Sequence, residues 1–149
     1  MSESSTHSAP PARGALLPDA ALAVLRVALA ALMLRHGLPK LLHFDERAAG
    51  FPDPLGVGPT TSLALAIFGE VVCSALLIPG VLVRVAAIPF CTTMLVAFFL
   101  VHANDAFDQK ELAFLYLVGG LVVLIGGGGR FSVDHWLVPR LRAAFGARA

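Results

Sequence analysis

The chain has 149 residues, 57% hydrophobic and 14% charged, with a formal net charge of +1 and a mean hydropathy of +0.80. Soluble domains run at about 45–50% apolar and about 25% charged. The balance therefore excludes a disordered chain, a coiled coil and a nucleic-acid binder, and there is no basic run to act as an electrostatic footprint. Length allows one domain, and the expectation is an all-α integral membrane protein built as a four-helix bundle. Two cysteines, Cys73 and Cys91, are too few and too far apart for a disulfide framework or a zinc site, so no metal is expected.

In chain order, residues 1–19 are Ser/Pro-rich and read as a mobile polar tail, with Asp19 placed to cap the first helix. A bilayer core of about 30 Å needs about 20 apolar residues in a helix. The first such stretch runs from about Ala20 to Leu42 and is interrupted by Arg26, Arg35, His36 and Lys40. Arg26 breaks the apolar run where a signal peptide would need it whole. Pro39 is expected to kink or end this helix, and Gly37 to admit a close neighbour. The link from His43 to Thr60 holds three Gly and three Pro, cannot continue a helix, and is expected to cap the outward face of the bundle.

The second span runs from about Thr61 to Pro79 and carries one charge, Glu70. A short turn at Pro79-Gly80 forces it to lie antiparallel to and beside the third, about Val81 to His102. The fourth begins near Glu111 and is uncharged from Leu112 to Gly129. Runs such as LVAFFLV do not alternate as barrel strands do, so the spans are helices. The glycines at 119–120 and 126–129 read as close helix packing and a helix end. The basic C-terminal segment from Arg130, with Phe131, Trp136, Leu137, Leu141 and Phe145 among arginines and a tail at 138–149, suits an interfacial helix.

Four spans put both termini on one side. Arg13, Arg84, Arg130, Arg140, Arg142 and Arg148 fall there, against Lys40, Arg47 and Lys110 on the other. The positive-inside rule then places both termini in the cytoplasm.

Ionisable residues within spans are costly, commonly face the bundle interior, and mark candidate sites. Glu70 at the centre of span two needs a partner or water, and Arg26 is the expected partner, with Ser74 one turn on adding a hydrogen bond. Arg35 points away from Arg26 and is expected to snorkel toward the outer headgroups. His36, Lys40, His102 and Tyr116 are expected to gather in the outer half of the bundle with Glu70 beneath them. Histidines titrating near neutrality would suit proton transfer beside a redox ligand there. The bland readings are interfacial anchoring for Lys40 and His102 and a register-fixing ion pair for Glu70 and Arg26. Cys73 and Cys91, near the midplane without a C-x-x-C spacing, read as small hydrophobes.

The segments LRVALAALMLRHGLPKLLHF, GFPDPLG, FGEVVCSALLIPGVLVRVAA, LVAFFLVHANDAF and GGGGRFSVD, in this order, resemble the DoxX family over roughly residues 20–137. The matching features are His36-Gly37 with Lys40, the central Glu70, Gly80 with Arg84, the His102 that closes span three, and Gly129-Arg130 with Ser132 and Asp134. The resemblance implies a four-helix bundle in the bacterial cytoplasmic membrane. The family is named for a subunit of an archaeal thiosulfate:quinone oxidoreductase, which implies a redox association. A quinone between helices is then the favoured carrier, as the chain has no haem-ligand pairs at recognisable spacing.

The leading expectation is accordingly a membrane subunit that meets lipid, binds a quinone and docks a soluble redox enzyme. His36, His102 and Glu70 are its candidate catalytic residues; Arg26, His36, Lys40, His102 and Tyr116 are its candidate ligand-binding residues. The rival expectations are a non-catalytic scaffold working through its acidic loops or basic C-terminal segment, and a small transporter assembled as a homo-oligomer.

Overall fold

In hydrocarbon every backbone N–H and C=O must find its partner within the chain, and a helix does this within a single segment. The apolar stretches accordingly form helices throughout the computed structural model, which describes residues 13–146. They are α1 (Arg13–Leu42), the short α2 (Phe44–Ala48), α3 (Pro59–Ile67), α4 (Cys73–Leu77), α5 (Val83–Val96), α6 (Phe107–Gly126) and α7 (Val133–Gly146). A π-helical turn, Phe68–Val72, joins α3 to α4, and a second, Ala97–Val101, extends α5. Four spans result, Leu16–Leu42, Pro59–Leu77, Val83–Val101 and Phe107–Gly126, and no strand occurs among the described residues. The bundle has a terminal end, where the first span enters and the fourth leaves, and a loop end, carrying residues 43–58 and 102–106.

Three local expectations are corrected. Helix α1 starts at Arg13, so residues 13–19 are helical and Asp19 lies inside the helix rather than at its cap. Residues 1–12 lie outside the described residues. Pro39 does not end α1, which continues to Leu42: proline removes one bond, the one to the Arg35 carbonyl, and the helical pattern resumes beyond it, with His43 N–H donating to the Pro39 carbonyl (3.2 Å). The fourth span begins at Phe107, because Asp108, Lys110 and Glu111 form the polar first turns of α6 and not a loop.

The core is built from Ala30, Met33, Leu77, Ala86, Ala87, Phe90, Met94, Tyr116, Leu117 and Val123, joined by the free thiols of Cys73 and Cys91. Apolar attraction between helices is weak in lipid, so close van der Waals packing over small residues takes its place. Gly119 lies against the Leu29 side chain, and Gly120 against Phe90 and Cys91. Outside the core, large apolar side chains such as Val24, Leu42, Val85 and Ile125 are exposed, as a lipid-facing surface requires.

At the terminal end the chain leaving α6 folds back onto the turn between α4 and α5. Val133 N–H donates to the Pro79 carbonyl (3.2 Å) and Asp134 N–H to that of Gly80 (3.0 Å). In return the Asp134 carboxylate accepts from Leu82 N–H (2.7 Å) and Val83 N–H (2.8 Å), which caps α5 from outside its own segment. Gly80 sits in this clasp at φ +78°.

Candidate functional site

Two close backbone approaches position the charged pair, toward the loop end of the bundle. Gly37 of α1 packs on the second span so tightly that a methyl there would lie 2.9 Å from Glu70 Cβ. One turn further along α1, Lys40 Nζ reaches the Glu70 carboxylate at 2.5 and 2.7 Å from its two oxygens. On the other side Gly69 lies against Thr93 and the Pro89 carbonyl of α5, with no room for a Cβ. Glu70 itself stands in the π-helical turn, where an extra residue per turn widens the helix, a device often found at functional sites.

The ion pair is part of the wall of a cavity of about 500 Å³ between the second and third spans. That volume lies in the range of small-molecule sites. The walls are otherwise mainly apolar: Leu65 and Ala66 of α3, Ile88 and Val96 of α5, and Ala97 and Val101 of the second π-helical turn. Phe51, Pro52, Pro54 and Leu55 close the loop end, and the Phe51 ring lies 6.0 Å from Lys40 Nζ. The long link thus roofs the cavity.

Asp53 holds this roof in shape. Its carboxylate accepts from Ser62 Oγ (2.7 Å), Gly58 N–H (2.8 Å) and Val57 N–H (3.0 Å), tying the link to the first turn of α3. The Ser62 hydroxyl first, and these backbone donors with it, hold the Asp53 carboxyl below its ordinary value. The sequence reading missed Asp53, although an acid shortly before Gly-Pro at a helix start is a signal for such a role.

Three polar features face the cavity. Lys40 has three N–H donors, two of them taken by Glu70, which leaves one for a ligand. Thr92 and Thr93 donate to the Ile88 and Pro89 carbonyls (3.0 and 2.9 Å), so their oxygens keep acceptor capacity. His102, at the mouth, has Nδ1 2.6 Å from Asp105 Oδ2. A carboxylate only accepts, so Nδ1 carries the hydrogen and Nε2 remains for proton exchange.

The sequence-derived candidates therefore divide. Lys40, Glu70 and His102 line one cavity. His36 and Tyr116 form a separate pair where α1 meets α6, their rings 5.9 Å apart and edge to face, with Phe90 behind Tyr116. Arg26 is not the partner of Glu70. It lies at the terminal end, 1% exposed, and donates from Nη2 to the Phe131 carbonyl (2.8 Å) beneath Gly80, where a Cβ would collide with Nη1. Eleven residues of α1 separate Arg26 from Gly37, about 16 Å of helix. Glu70, in contact with Gly37, is out of Arg26's reach. Ser74 is buried without a hydrogen-bond partner among the described residues, so it does not assist Glu70 as expected.

Four membrane-crossing helices with an apolar, charge-lined cavity between the second and third define a multi-pass membrane protein with a ligand-sized cavity. The family model for DoxX matches residues 21–103, which hold Gly37, Lys40, Gly69, Glu70 and His102, and the chain belongs to the DoxX family. It is also 32% identical over 123 residues to an uncharacterized protein of Haemophilus influenzae, a match covering 76% of this chain and 88% of that one. No solved structure matches it.

Proposed function

We propose that this DoxX-family protein is a redox-associated subunit of the bacterial cytoplasmic membrane that binds a quinone in the Lys40–Glu70 cavity, with its terminal end in the cytoplasm and a soluble oxidoreductase as partner. The observation that carries the reading is the cavity: apolar enough for a ring and prenyl chain, with a single spare ammonium donor for a carbonyl oxygen. When bound, a quinone supplies two-electron, two-proton chemistry. Lys40 donates its remaining N–H to the ligand oxygen and favours negative charge there. Glu70 fixes the position of the Lys40 ammonium. His102 exchanges protons at the mouth, oriented by Asp105. The Phe51–Leu55 roof keeps water from the site. His36 and Tyr116, outside this cavity, take no part in it. The excess of arginine at the terminal end supports the orientation.

Mass spectrometry of lipids extracted from the protein, purified gently from its native membrane, tests the reading. About one quinone per chain is expected for the wild type and little for Ala66→Phe, which fills the cavity. Equal quinone in both would contradict it. A scaffold role draws support from α7, whose Trp136 is 64% exposed, and from the exposed Phe131 that precedes it. In that case truncation after His135, which keeps the Asp134 clasp, abolishes partner recovery while Ala66→Phe leaves it intact.

A further inference from the structure

A second cavity, of about 590 Å³, lies at the terminal end, between the start of α5, the glycine run that closes α6 and the first two turns of α7. Its depth is that of lipid headgroups: Asp19, Arg84 and Gly126, all on its wall, are the fourth, second and last residues of their membrane spans. From the wall residue Val85 an exposed apolar strip runs on to Ile88, one turn further along α5 toward the middle of the bilayer.

Two cations on this wall have donors to spare. The Arg84 guanidinium packs over Gly127, where a Cβ would lie 3.3 Å from Nε, and donates from Nη2 to the Ile125 carbonyl (3.2 Å). That uses one of its five N–H donors and leaves the rest for a ligand. Arg130 has no ion pair among the described residues, and the N–H groups of Gly128 and Gly129 find no acceptor among them. The two acids differ. Asp134 is already engaged, for both its oxygens accept from amides at the start of α5 and Arg26 is close by. Asp19 has no ion pair among the described residues, and its Oδ1 would lie 3.1 Å from a Cβ at Gly129. Gly127 and Gly129 are two residues apart, at most about 7 Å. The cavity therefore sets an available guanidinium and an available carboxylate close enough for one small zwitterion to span.

Arginines at headgroup depth need no ligand to explain them. A carboxylate beside them, with a cavity between, is not explained by anchoring, and a plain anion would leave Asp19 facing it without a cation. We propose that this cavity binds the headgroup of an ethanolamine phospholipid. Arg84, Arg130 and the Gly128 and Gly129 amides hold the phosphate, Asp19 takes the primary ammonium, and Val85 and Ile88 meet the upper part of an acyl chain. The site stands apart from the Lys40–Glu70 cavity and does not depend on what that cavity binds.

Native mass spectrometry of the delipidated full chain, titrated in detergent with single phospholipids, tests the proposal by counting lipids on the folded molecule. Phosphatidylethanolamine is expected to bind at one per chain, at least about tenfold more tightly than two relatives. Phosphatidylcholine has a quaternary ammonium with no N–H for Asp19, and phosphatidylglycerol has no cation for it. Arg84→Gln weakens phosphatidylethanolamine binding at least about tenfold, and Arg84→Lys restores part of the loss. Asp19→Asn removes the preference over phosphatidylglycerol while leaving phosphatidylglycerol bound at least as well as before. Excess inorganic phosphate does not displace the lipid. Equal binding of the three lipids, a wild-type preference for phosphatidylglycerol, or displacement by phosphate overturns the proposal. An affinity unchanged in Arg84→Gln, or a preference unchanged in Asp19→Asn, does the same.

Discussion

The two buried charge sites of the bundle are opposites in construction. At the loop end, Lys40 and Glu70 neutralise each other across two helices and border open volume. At the terminal end, Arg26 is buried and held by a backbone carbonyl, with Asp134 the nearby acid and two of its nitrogens without a partner among the described residues. The first can lend a hydrogen-bond donor to a ligand without exposing a bare charge. The second is walled off, for Arg26 does not line the cavity at that end, which Asp19, Ser132 and Asp134 border; it ties the segment after α6 to the turn before α5. A charge within a span is thus informative about function only together with the space beside it.

The largest effect should come from disturbing the terminal clasp. Gly80→Val puts a branched side chain at a positive φ and into the Arg26 guanidinium. The combined strain and overpacking cost about 3 kcal/mol or more. We expect no monodisperse protein on size-exclusion chromatography; a normal profile would show that the clasp is dispensable.

Next is the ion pair. Lys40→Met leaves Glu70 buried without its cation and costs about 3 kcal/mol, whereas Lys40→Met/Glu70→Leu together recovers most of that stability. Unfolding followed by thermal melting in detergent separates the two. The double variant should be stable yet bind no quinone, which divides the structural from the ligand-binding role of the pair. If the double variant is as unstable as the single one, the pair is chiefly architectural.

Asp134→Ala removes both bonds that cap α5 and the acid near Arg26. We expect a loss of about 2 kcal/mol, read as a lower melting temperature, with ligand content per folded molecule unchanged.

The smallest effect is at Asp53. Its folded-state carboxyl sits below the ordinary value, so the hold it gives the roof is complete above the unfolded pKa. That hold is lost as pH falls through the lower folded value. Hydrogen exchange at Val57 and Gly58 should accelerate, relative to unstructured amides, across that acidic window. In Asp53→Ala exchange should be fast at all pH values. Protection that persists in the variant would assign the roof's order to something else.

Much of this was legible in the residues. Apolar run lengths defined four spans, and Glu70, alone in its span, pointed to the cavity. The partner was not legible, because a helical wheel carries angle but not depth. Arg26 and Lys40 share a line on α1, and the choice between them depends on how far α1 slides past α3, which Gly37 fixes by contact with Glu70. The same register separated His36 and Tyr116 from His102. The π-helical turns also left no periodic trace, yet the first of them holds Glu70 and the second adds wall residues to the cavity. Asp134, read only as part of a family motif, became intelligible once the clasp gave it two amides to accept from.

The central claim is that the Lys40–Glu70 cavity is the ligand site, and photolabelling with an azido-quinone tests it most directly. The account predicts label on peptides from 59–70 and 88–102, suppressed by excess unlabelled quinone and absent in Ala66→Phe. Label concentrated on α1 and α6 around His36 and Tyr116, and unaffected by Ala66→Phe, would contradict it.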